Sequence, residues 1–165
     1  ASWISLRTTS LPRKTLLLNA VYSIVLGGVT VLLLMTQGVL SLEPWYMPSY
    51  MIPLGGMIFA NCMNSISLAA ERLESELKQG QSYEKAKVIA LRTSLIPITN
   101  MLLAVGLVSL PGMMTGQILS GVSPLIAVRY QIMVMCMIFG SSGISAAVFL
   151  HSAKDSFTDT KNRFE

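Results

Sequence analysis

Residues 16–40 read LLLNAVYSIVLGGVTVLLLMTQGVL, a stretch without a single charged side chain. A helix of about 20 apolar residues crosses roughly 30 Å of hydrocarbon, so this stretch spans a membrane with some tilt. Arg7, Arg13 and Lys14 precede it, and the run is too long for the apolar region of a signal peptide. Composition agrees with that reading: 52% of the chain is hydrophobic, 12% is charged and the mean hydropathy is +0.60. An ordinary soluble domain carries about twice that share of charge. The sequence therefore describes an all-α, polytopic integral membrane protein in one transmembrane domain over residues 1–165.

Working outward, residues 41–51 (SLEPWYMPSYM) bring together Trp45, Tyr46 and Tyr50 with Pro44 and Pro48, the signature of an interfacial aromatic belt. A second span is expected at 52–70, a third at about 94–112 and a fourth at 125–150. Glu71 and Arg72 close the second span. Between it and the third lies a polar segment, 71–92, in which Leu73 and Leu77 share a helical face. Gly80 suits the left-handed residue that ends a helix, and Ser82 suits the cap of the next.

Lys and Arg sort by loop. Arg7, Arg13 and Lys14, then Arg72, Lys78, Lys85, Lys87 and Arg92, then Lys154, Lys161 and Arg163 occupy alternate connections, and Arg129 is the exception. With positive charge retained inside, both termini and the 71–92 segment face the cytoplasm, as four crossings require. The net charge of +4 follows from this topology rather than from a basic stripe for nucleic acid. Cys62 and Cys136 lie in apolar runs without metal-site spacing and read as small buried hydrophobes.

Two places carry more than hydropathy. In the second span Asn61 and Asn64 share a helix face, where they act either as interhelical glue or as the wall of a substrate path. In the uncharged run from Thr93 to Val128, GLVSLPGMMTG ends in Pro111, Gly112, Met113, Met114, Thr115 and Gly116, with Gln117 next. Pro111 is expected to break the third span near Leu110. Gly112 and Gly116 form a small-xxx-small pair for close helix approach, and Ser109, Thr115 and Gln117 satisfy freed backbone or line a cavity. Together they read as an outer gate.

Glu74 stands six residues before Gly80, and Pro97 follows, an order that resembles the EAA loop of ABC importer permeases. The two alanines that follow the glutamate in importers are absent. Taken together, residues 52–64 (IPLGGMIFANCMN), Gly80 with Ala86, 95–97 (LIP), 106–116 (GLVSLPGMMTG) and 124–133 (PLIAVRYQIM) resemble the FetB-type ABC permeases, the iron-export family, across about residues 20–150. Where that family usually has Gly-Ala-Thr-Pro, this chain has Gly80, Gln81, Ser82 and Tyr83.

The resemblance implies a permease half in the cytoplasmic (inner) membrane. It would work as a homodimer with a cytoplasmic ATP-binding subunit and export a metal ion, iron by analogy. Glu74, Gly80, Gln81, Ser82, Tyr83 and Ala86 would couple it to the ATPase. Family members have further N-terminal spans, and the chain starts at Ala1, so a piece of a longer protein is expected. No Walker A pattern is present, so the chain is not expected to be an enzyme: ATP and Mg would sit on the partner, with no cofactor on this chain. No His, Asp or Glu pair lies inside the spans, so the metal ligands stay unassigned. The alternatives are a permease for a non-metal cargo and a non-transporting scaffold subunit.

Overall fold

The computed structural model describes residues 13–40, 44, 46–105 and 112–154, and of residues 13–15 the backbone only. Helix α1 covers Arg13–Leu33 and runs on as a π-helical segment, Leu34–Val39. It is followed by α2 (Pro48–Lys78), α3 (Tyr83–Ala104), α4 (Gly112–Leu119) and α5 (Pro124–Ser152). Four of these helices, α1 with its extension, α2, α3 and α5, are long and apolar enough to cross a bilayer. The chain is an all-α, multi-pass membrane protein.

The wider turn at the end of α1 has a local cause. The Thr36 hydroxyl donates to the carbonyls of Leu32 at 3.0 Å and Leu33 at 3.3 Å, competing with the backbone ladder where the helix widens. Helix α2 starts at Pro48, earlier than the expected 52. Pro48 takes the first turn, where a missing N–H costs nothing, and Pro53 falls inside the helix. Tyr46 is exposed and Tyr50 packs against the core, whereas Trp45 lies outside the described residues.

Helix α5 is the hub, packing on each of the other four helices, while α1 and α3 flank the α2/α5 pair. Small residues permit that closeness. A Cβ on Gly27 would stand 2.9 Å from the backbone N of Ser145, and one on Gly28 would meet Phe59 at 2.9 Å, so adjacent glycines seat α1 against α5 and α2. Cys62, Ile58, Ile66, Ala69, Ala146 and Phe149 are wholly buried at the centre. Away from it, Leu18, Tyr22, Val25 and Leu34 are exposed along α1, as a lipid-facing surface requires.

Side chains sew one end of the bundle together. The last carbonyls of a helix lack intrahelical donors. Here Leu150 accepts from the Tyr83 hydroxyl at 2.5 Å and Ser152 accepts from Asn19 Nδ2 at 3.0 Å. Lys154 reaches Glu84 at 3.6 Å. The start of α1, the α2–α3 turn and the end of α5 therefore share one end, which also gathers the described cationic residues except Arg129.

Candidate functional site

The polar segment 71–92 forms no separate transverse helix. Helix α2 continues unbroken to Lys78 and α3 starts at Tyr83, so the expected elbow is the tip of an antiparallel hairpin made from the spans themselves. Charge alone does not interrupt a helix; Gly80 does. Its φ is +81°, its N–H reaches the Leu77 carbonyl at 3.0 Å, and the Gln81 N–H reaches Glu76 at 3.2 Å, the paired bonds of a Schellman turn. Ser82 occupies the N-cap position of α3 without a side-chain capping bond.

Burial divides the six residues expected at an ATPase contact. Gly80, Gln81 and Ser82 are exposed and Tyr83 is half-buried, whereas Glu74 is 9% exposed and Ala86 wholly buried. Glu74 is held by Lys78 at 2.7 Å, one turn on, and Glu76 by Arg72. Glu74 and Ala86, expected among the coupling residues, both lie on the face of the hairpin that packs inward. Tyr83 is bonded to α5, so its hydroxyl serves the bundle. The exposed tip that is left is Gly80, Gln81 and Ser82.

The third span also departs from expectation. Helix α3 ends at Ala104 with Val105 extended (φ −65°, ψ 126°), earlier than Pro111, and a new helix, α4, starts at Gly112. A proline bars helical geometry for its neighbours but marks only the furthest point a helix can reach. Ser109 and Pro111 lie outside the described residues. Met113, Met114, Thr115 and Gln117 are half-buried, with Met113 against the core. Among the described residues nothing stands within 4 Å of a Cβ at Gly112 or Gly116, so none of the described helices packs closely on this pair. Gly121, at φ +89°, ends the segment in a second Schellman turn.

Asn61 and Asn64 do come together with other polar groups. They line a groove between α2 and α3 of about 160 Å³ with Ser65, Leu68, Ser94, Pro97, Ile98 and Met101. Asn61 Nδ2 donates to the Met57 carbonyl at 2.8 Å, and the Ser94 hydroxyl donates to Leu91 at 2.8 Å. Ser94 and Pro97 went unremarked as groove residues in the sequence because the turn at Gly80 sets which part of α3 faces Asn61. A second polar cluster, Ser141 and Ser145 beside Cys62, was also missed. Among the described residues the buried Ser142 hydroxyl finds no hydrogen-bond partner, and α1 closes on Ser145 at Gly27. No group of three His, Cys, Asp or Glu residues able to hold a metal occurs among the described residues.

Four long apolar helices, a polar groove between two of them and one charged end define a multi-pass helical membrane protein. The chain belongs to the family described as "Uncharacterised protein family (UPF0014)", whose model matches residues 1–157. It is 43% identical over 137 residues to the UPF0014 membrane protein slr1647 of Synechocystis sp., covering 73% of this chain and 53% of that one. It is 29% identical over 178 residues to the "Probable iron export permease protein FetB" of Escherichia coli, covering 99% of this chain and 67% of the relative. A third relative, 35% identical over 127 residues, is "Protein ALUMINUM SENSITIVE 3" of Arabidopsis thaliana, with 68% and 46% covered. The chain thus spans about half the length of the first of these. No solved structure matches.

Proposed function

We propose that this chain is the permease subunit of an ATP-driven exporter in the cytoplasmic membrane, acting as a homodimer with a separate ATP-binding subunit and carrying a metal ion. The observation that carries the reading is the hairpin tip. Gly80, Gln81 and Ser82 protrude at the basic end, which positive-inside retention assigns to the cytoplasm, and Tyr83 ties them to the end of α5. A force applied there is shared by α2, α3 and α5. The name of the Escherichia coli relative supports iron as cargo, and the neutral groove suits passage better than tight retention.

The test is co-purification. In mild detergent the full-length protein is expected to bring down an ATP-binding subunit whose hydrolysis rate loses coupling to metal when Gln81 and Ser82 are replaced by bulky residues. Absence of such a subunit, together with metal export indifferent to ATP, would overturn the assignment.

A further inference from the structure

Helix α3 has one face that the described helices leave uncovered. At about 100° per residue, Lys85, Arg92, Ile96 and Leu103 fall on one line, within roughly 40° of one another. All four are exposed, and so is Thr99 beside them. Ala86, Ala90, Ser94 and Ile98 lie round the far side of the helix and are buried against the bundle.

The cations on this line are unmatched. Glu74, Glu76 and Glu84 pair with Lys78, Arg72 and Lys154, so among the described acids only Glu71 is left. Lys85 and Arg92 have no ionic partner among the described residues. Lys87 lacks one too, but it sits about 200° round from Lys85 and is half-buried, outside this face. Further along the line Thr99 donates its hydroxyl to the Leu95 carbonyl at 2.9 Å, so it presents no free donor to hydrocarbon. Asn100 stands off the line, about 60° round toward Pro97.

The spacing matches a lipid. At 1.5 Å per residue, Lys85 lies about 10 Å from Arg92 on the side of the α2–α3 turn, and Leu103 about 16 Å from it on the other. One leaflet of hydrocarbon is roughly 15 Å deep, half of the 30 Å core. A phosphate level with the two cations therefore lays an acyl chain along Ile96 and Leu103. A second copy of the chain suits the face less well. Glu71 could match one cation and would leave the other in low dielectric without a counter-charge, which is costly.

We propose that this face of α3 binds an anionic phospholipid of the leaflet at the charged end, its phosphate held between Lys85 Nζ and the Arg92 guanidinium. The guanidinium suits that task because its fork donates two parallel hydrogen bonds to phosphate oxygens. The bound lipid ties the outer side of the α2–α3 hairpin to the membrane surface, whatever the chain transports.

The test is native mass spectrometry of the full-length protein, titrated in mild detergent with phosphatidylglycerol or phosphatidylcholine of the same acyl chains. Tighter retention of phosphatidylglycerol is expected. Each cation at an anionic lipid surface contributes roughly fivefold, so Lys85→Gln with Arg92→Gln should weaken phosphatidylglycerol binding about twentyfold. Lys87→Gln with Arg129→Gln removes the same charge from elsewhere and should leave binding unchanged. The rise in melting temperature on adding phosphatidylglycerol should vanish in the first variant and persist in the second. Equal retention of the two lipids by the unaltered protein overturns the proposal, as does unchanged binding in the first variant or equal loss in both. So does a first variant that keeps its lipid but falls from dimer to monomer, which would give the face to a second copy. Should the double variant fail to fold, Arg92→Gln alone supplies the comparison, with about a fivefold loss expected.

Discussion

Tyr83 hydroxyl and Leu150 carbonyl meet at 2.5 Å across two helices far apart in the chain. Replacing Tyr83 by Phe leaves that carbonyl short of a donor and is expected to cost about 1–3 kcal/mol, read as a lower melting temperature in detergent. Gly27 makes a second prediction at this scale. Gly27→Ala pushes a methyl toward the Ser145 backbone, which cannot swing aside as a side chain would, and should destabilise by about 1–3 kcal/mol. Gly56→Ala, with nothing within 4 Å of the added carbon, should be near neutral in the same unfolding assay. Neither contact was legible in the sequence: Gly27 and Gly28 sit in an uncharged run where any glycine looks alike, and only the α1–α5 crossing separates them from Gly56. Gly80 was legible, because it follows a patterned polar helix and precedes Ser82.

Helices α2 and α3 make the hairpin whose tip is set by a left-handed residue. Gly80→Ala places a Cβ in that conformation and is expected to cost about 1–2 kcal/mol, while Gly80→Asn should be milder; thermal unfolding of the two variants ranks them. The turn and its two helices could be read from residue types. Their continuity with the spans could not, since the charges from Glu71 onward look like a boundary while the backbone ladder passes through them. The break in the third span was likewise signalled by Pro111, yet α3 stops at Ala104, for proline limits its neighbours and leaves the turns before them free to end sooner. The amides of the groove were visible as a pair on one face. Their companions across the groove depend on how a turn of a few residues phases two helices, and periodicity within one helix carries no such information.

For the molecule as a whole, hydropathy and charge were enough to give the class, because the bilayer punishes exposed backbone so heavily that few architectures remain. Orientation is open to direct measurement. In a background with Cys62→Ala and Cys136→Ala, a membrane-impermeant thiol reagent should reach Gln81→Cys only from the cytoplasmic face and Ser123→Cys only from the other. Labelling of both from one side would overturn the four-crossing arrangement, and labelling of each from the face opposite to that expected would reverse it. The same bundle has an electrical consequence through α3. From Thr93, the first residue past its last charge, to Ala104 is only about 18 Å, against roughly 30 Å of hydrocarbon, and the extended backbone at Val105 needs water or protein around it. A membrane potential, about 2.3 kcal/mol per unit charge for each 100 mV, falls across whatever insulator separates the two solutions. Where water reaches the end of α3, that insulator is thin and the field across it is steep.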